Sequence, residues 1–277
     1  MDWLTTKIPV GRWAADVFDW IETNGRAVVR PVKAAVQALI SAVEWLLQFP
    51  HPLLLIVIFV ALTWLFQRSW KTCLLVALGL LYVLNQGYWE AMTQTLALVL
   101  ASCVVCMGVG VPLGIAAAHR PWLYTWMQPV LDLMQTLPSF VYLIPAIVLF
   151  GLKAVPALVA TVIFVLPAPI RLTRLGIAST PQSLLEAAEA FGATPRQKLW
   201  KVELPFALPQ IMAGLNQTIM LSLSMVVIAA LVGAAGLGTP VVRALNSVNS
   251  ELGFESGFVI VVVAIVLDRM LRFGRQS

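Results

Sequence analysis

The sequence predicts an all-helical integral membrane protein of about seven transmembrane helices, preceded by amphipathic helices at the membrane interface. Three observations predict it. Of 277 residues, 60% are hydrophobic and 11% are charged, against about 25% charged in soluble domains; mean hydropathy is +0.89. Seven apolar runs follow residue 50, several of them near the roughly 20 residues that cross a bilayer as a helix. The basic residues between those runs fall overwhelmingly on one side of the membrane.

Residues 1–50 are read as an amphipathic tail. Trp13, Val17, Trp20 and Ile21 recur at helical spacing opposite Arg12, Asp16, Asp19 and Glu22. Val32, Val36, Leu39, Ile40, Val43, Leu46 and Leu47 form a second stripe against Lys33, Gln37, Ser41, Glu44 and Gln48. Such faces suit helices lying in the membrane interface rather than a small soluble hairpin. The charged start and short apolar core of a cleavable leader are missing.

The runs span about 52–66, 70–87, 91–118, 127–150, 154–176, 205–235 and 255–273. The first two make a peripheral pair (51–87), and the last five a core (88–277). Pro112, Pro138, Pro145, Pro167 and Pro169 are acceptable inside them where neighbours re-satisfy the backbone. Gly110 and Gly114 have the small-xxx-small spacing of close helix contact.

Charge orients the chain. Arg68, Lys71, Arg120, Arg171, Arg174, Arg196, Lys198, Lys201, Arg269, Arg272 and Arg275 share one side; Lys153 and Arg243 take the other. The first side is cytoplasmic by the positive-inside rule, as is the C-terminus, and seven spans put the N-terminus outside. Lys7, Arg12, Arg26, Arg30 and Lys33 in the tail run mildly against that, beside Asp2 and the tail's other acids. The net charge of +5 is topological and implies no nucleic acid.

Between the fifth and sixth runs the chain leaves the membrane at about 178–204. Thr180 and Pro181 read as an N-cap and first turn. Leu184, Leu185, Ala188 and Phe191 form one face, and Gly192 a C-cap. Thr194-Pro-Arg-Gln197 opens a second helix with a capping-box pattern. An ordinary solvated loop needs no such construction. The exposed face carries Glu186, Glu189, Arg196 and Lys198, and its alanines let another surface approach closely.

Chemistry is scarce. Cys73, Cys103 and Cys106 all sit in apolar runs; Cys103-Val-Val-Cys106 lacks the further ligands of a metal site and reads as helix packing. His51 and His119 flank apolar runs without partners in sequence, so no metal site is expected. No phosphate-cradling glycine loop, catalytic triad or paired carboxylates can be assembled, and no cofactor. Asp132 and Asp268 lie near cytoplasmic ends, as pathway acids or interface-facing ones. Gln135, Ser139 and Tyr142 recur on the fourth span, and Asn216, Met220 and Ser224 on the sixth. They line a pathway or bond helix to helix.

The stretch from Glu186 to Pro205 resembles the EAA motif of binding-protein-dependent ABC importer permeases: E-A-A, three residues, G, nine residues, I, one residue, L-P. Glu186, Ala187, Ala188, Gly192, Leu204 and Pro205 match, and Val202 stands where isoleucine is usual. Three further runs resemble the glycine betaine/proline betaine and choline permeases: Asp132-Leu-Met-Gln-Thr-Leu-Pro-Ser-Phe-Val-Tyr-Leu-Ile-Pro145, Leu166-Pro-Ala-Pro-Ile-Arg-Leu-Thr173, and Asn216 to Met225 leading to Gly236-Leu-Gly238. That family usually has two adjacent prolines where this chain has Pro167-Ala-Pro169. The resemblance covers about residues 88–273.

The resemblance implies a MetI-like type I importer core whose 178–204 segment docks on a cytoplasmic ATPase through the six matching residues. It implies a second copy of the chain, two ATP-binding subunits, an extracytoplasmic substrate-binding protein, and residence in the bacterial cytoplasmic membrane. The chain itself is then no enzyme. A permease for another small nutrient, such as an amino acid or sulfonate, is the neighbouring alternative; a secondary transporter without ATPase partners, which should show inverted repeats, is the distant one.

Overall fold

Apolar length decides where the chain crosses and proline decides where it bends. A computed structural model describes residues 10–271; readings that rest on Asp2, Lys7, Arg272 and Arg275, and on the side chains of Val17 and Glu22, lie outside what is described.

The tail forms α1 (Val10–Asn24) and α2 (Arg26–Gln48). Trp13 and Trp20 stay exposed, whereas Ile40 and Leu47 of α2 are buried. Two short helices follow, α3 (Pro52–Gln67) and α4 (Trp70–Asn85). Pro52 starts α3, with His51 Nδ1 accepting from Leu53 N at 3.4 Å, and Arg68 ends it in the left-handed region. Next come α5 (Trp89–His119), α6 (Pro121–Thr136), α7 (Ser139–Phe150), α8 (Ala154–Val165) and α9 (Pro167–Ala178). At 31 residues, α5 is about 47 Å long, well over the roughly 30 Å hydrocarbon core. Then follow α10 (Gln182–Ala190), α11 (Pro195–Lys198), a π-helical turn (Leu199–Glu203) and α12 (Leu204–Ser224). The chain finishes with α13 (Val226–Leu231), α14 (Gly238–Ser247) and α15 (Ser250–Leu271).

Four helical stretches are long and apolar enough to cross a membrane alone: α5, α8–α9, the α11–α13 stretch, and α15. Two pairs qualify only together, α2 with α3, bent by 100°, and α6 with α7, bent by 97°. With the 16-residue α4, these account for the seven expected runs. The fourth run departs from expectation: it begins at Pro121 and breaks at Leu137-Pro138. Residues before proline avoid helical backbone, and Leu137 is extended (ψ 138°).

Core positions follow the same logic. One apolar cluster joins α2–α5, α12, α13 and α15 through residues such as Leu80, Met92, Leu96, Ile219 and Val263. A second joins α2, α5, α7 and α8 through Ile40, Ala101, Tyr142 and Leu158. The glycine pair binds within the chain: a Cβ on Gly110 would meet Pro169 Cγ at 2.9 Å, and one on Gly114 would meet Thr173 Cβ at 2.6 Å. This pins α5 against α9.

The connections alternate between two ends of the bundle. One end gathers Gln48, whose amide donates to Thr93 Oγ1 at 3.2 Å, and Lys153, whose N–H donates to the Val232 carbonyl at 2.9 Å. Lys33 of α2 lies beside Gly151 there, so the tail packs at this end. The other end holds Arg68, Arg120 and α10–α11.

Candidate functional site

At the second end α10–α11 stands largely exposed, and its local sequence explains its shape. The helix N-cap is Pro181, not Thr180 as expected. The Thr180 hydroxyl is buried and bonds nothing, because extended backbone at Pro181 (ψ 133°) moves the start one residue on. The C-terminus behaves as expected of glycine. Gly192 takes φ +74°, a conformation costly for other residues. Gly192 N–H bonds Glu189 O at 2.9 Å and Ala193 N–H bonds Ala188 O at 3.0 Å, the paired closure of a Schellman end.

The capping box is complete. Gln197 N–H donates to Thr194 Oγ1 at 3.3 Å, and Thr194 N–H donates to Gln197 Oε1 at 2.8 Å. Lys198 Nζ reaches back to Glu189 Oε1 at 2.6 Å and fixes the angle between α10 and α11. That hydrogen bond to Glu189 holds the Lys198 ammonium above the usual lysine range.

No residue of α10 is buried. The apolar face read from the sequence has no cover: Leu184 is exposed and Phe191 is 92% exposed. Glu186 and Ala187 are exposed and Ala188 half-buried, with Gln182 Nε2 donating to Glu186 Oε1 at 3.3 Å. Leu204 is half-buried against Ile177, Ala207 and Ile211, while Pro205 is exposed in the first turn of α12. Glu186, Ala187, Ala188 and Gly192 thus form one exposed surface, and Leu204 and Pro205 root it in the bundle.

The π-helical turn is the unforeseen element. It carries the chain from α11 into α12 without a break, so the second helix of the insert continues the next span. Single π turns inside helices are frequently found at functional sites. It buries Glu203 to 4% exposure, and Glu203 Oε2 lies 2.8 Å from His119 Nε2 at the end of α5.

Deeper in the bundle, Arg171 Nη2 bonds Asp132 Oδ1 at 2.5 Å and Arg171 Nη1 donates to Gln135 Oε1 at 3.3 Å. The Arg174 guanidinium lies 3.6 Å from the Tyr124 ring centroid, a cation–π geometry. Together they tie α9 to α6. Ser139 begins α7, half-buried. Tyr142 is buried, and its hydroxyl donates to the Leu133 carbonyl at 3.0 Å across the α6–α7 break. Asn216 Nδ2 donates to Asp268 Oδ1 at 3.3 Å, joining α12 to α15. Met220 packs against the first apolar cluster, and Ser224 Oγ donates to the Met220 carbonyl at 3.1 Å. Cys103 and Cys106 are buried free thiols, and Cys106 Sγ reaches the Val162 carbonyl at 3.9 Å.

Sequence reasoning missed His119–Glu203, Arg171–Gln135 and Arg174–Tyr124. Their only local signal was a polar residue inside or beside an apolar run; the partners lie 84 and 36 residues away for the first two.

Residues 110–273 match the family described as binding-protein-dependent transport system inner membrane component. The chain is 44% identical to a glycine betaine/carnitine transport permease of Listeria monocytogenes, over 98% of this chain and 97% of that protein. It is 45% identical to a glycine betaine transport system permease of Bacillus subtilis (95% and 93% covered). It is 43% identical to a glycine betaine/proline betaine transport system permease of Escherichia coli (98% and 77%). Among solved structures, an inward-facing MetNI methionine ABC transporter chain superposes with a TM-score of 0.60 at 23% identity, covering 67% of this chain and 94% of that one. That likeness bears on the fold.

Proposed function

The chain belongs to the binding-protein-dependent transport system inner membrane components, and on that premise we propose that it is the permease subunit of an ATP-driven importer of quaternary ammonium compounds, choline or the glycine and proline betaines. The substrate class is supported by relatives above 40% identity whose names specify betaines. The single observation that carries the mechanism is the uncovered, doubly capped surface of α10–α11.

A surface with Phe191 in solvent, flanked by small alanines and by Glu186, fits the groove of a partner. The partner is a cytoplasmic ATP-binding subunit, one for each of two permease copies. A glycine corner and a capping box hold the surface in shape before contact, which lowers the ordering cost of docking. ATP-driven closure of the partners presses on the segment, and the continuous π turn passes the displacement into α12. The two copies rock as rigid bodies, opening the pathway between them outward. Gln135, Ser139, Tyr142, Asn216, Met220 and Ser224 border that pathway or set the packing of the helices around it.

Substrate arrives from an extracytoplasmic binding protein, which holds the trimethylammonium by cation–π contacts. The tail packs at the end opposite α10–α11 and therefore lies on the outer side of the cytoplasmic membrane.

Reconstitution tests this reading. Co-expressed with its ATPase and binding protein, the chain co-purifies with the ATPase and imports radiolabelled betaine or choline only with ATP. Import of an amino acid instead, or import without an ATPase, would overturn it.

A further inference from the structure

His119 and Glu203 are joined by more than distance. His119 Nδ1 lies 2.9 Å from the Ile115 carbonyl, which only accepts, so Nδ1 carries a hydrogen. Nε2 lies 2.8 Å from Glu203 Oε2. A neutral imidazole with its hydrogen on Nδ1 turns a lone pair toward that oxygen, and a carboxylate also offers only lone pairs. The contact therefore needs one more proton, on Nε2 or on the carboxyl. With it the pair is a charge-assisted or strong neutral hydrogen bond; without it two lone pairs oppose each other.

The position makes the contact consequential. Glu203 closes the π turn, and that turn is the link between the docking segment and α12. The other surrounding charges are Arg120, next to His119, Lys201 on the turn, and Lys198, which feels the Glu203 charge but is held by Glu189. None of these cations forms an ion pair with Glu203 among the described residues.

We propose that His119 is a positioning residue: its hydrogen bond to Glu203 clasps the π turn to the end of α5, and losing that bond loosens the transmission from the ATPase to the pathway. The proposal rests on the permease reading. It predicts that coupling, the substrate imported per ATP hydrolysed, falls when either partner of the bond is removed.

The test uses the complete complex in proteoliposomes and measures that ratio at neutral pH. H119A removes the clasp and lowers the neutral-pH ratio roughly fivefold, the lower end of ordinary site-to-site coupling. H119Q presents an amide donor to the carboxylate and recovers part of the loss. E203Q keeps the contact, because its amide donates to Nε2 of an imidazole whose hydrogen is on Nδ1, and holds a near-wild-type ratio. E203A removes the contact from the other side, and its ratio falls as far as that of H119A. An E203A or H119A complex as tightly coupled as wild type, or an E203Q complex as loose as E203A, overturns the proposal while leaving the permease reading intact. A wild-type complex that imports nothing removes both.

Discussion

The backbone N–H of Leu237 donates to the Thr95 hydroxyl at 2.8 Å, a buried hydrogen bond between residues 142 apart. It seats the turn after α13 on the start of α5. Gly236 permits the approach: its φ is +137°, and a Cβ there would stand 2.5 Å from Thr95 Oγ1.

Replacing Thr95 with valine keeps the shape but leaves the Leu237 N–H buried without an acceptor. The expected cost is about 1–3 kcal/mol, read as a lower unfolding temperature in detergent. T95S restores the acceptor and most of the stability.

Gly114→Ala forces a methyl against Thr173 Cβ and the Ile170 carbonyl, at 2.6 and 2.8 Å. Neither is the tip of a flexible chain, so α5 and α9 must separate, at roughly 1–3 kcal/mol. Gly257→Ala, with nothing within 4 Å, is the control and holds wild-type stability.

On the proposed docking role, the α10 surface can be altered without disturbing the fold, since no residue of α10 is buried. F191D, at a residue already in solvent, leaves membrane yield unchanged and cuts ATP-dependent uptake. E186K does the same by reversing a charge. Gly192→Pro is harsher, because proline fixes φ near −65° where the chain needs +74°; uptake is lost while membrane insertion persists. Normal uptake by E186K would exclude the docking role.

Thr194→Ala opens one side of the capping box, at about 1 kcal/mol. Amide hydrogen exchange of residues 195–198 should quicken about fivefold, with no change in α5. Equal protection in variant and wild type would show that docking on α12, not the cap, holds α11.

What could be read from sequence was what local chemistry decides. Apolar length located all seven runs. Gly192 and Thr194–Gln197 announced their own geometry because a C-terminal turn and a capping box close within a few residues. The cap of α10 was misplaced by one residue, since Thr180 and Pro181 satisfy the same rule and backbone geometry selects between them. The break at Leu137-Pro138 and the π turn at 199–203 were missed for another reason. Proline is common in membrane helices without breaking them, and a π turn depends on what Glu203 meets across the bundle. His119 and Glu203 each looked unremarkable until the fold joined them.

From Pro195 to Ser224 the helix runs 30 residues without interruption, about 45 Å at 1.5 Å per residue. It spans from the exposed insert at one end of the bundle to the other end, beside the turn that rests on Thr95. The exposed insert and the turn on Thr95 are therefore two neighbours of one continuous element, and a change of packing at either is felt by the same helix.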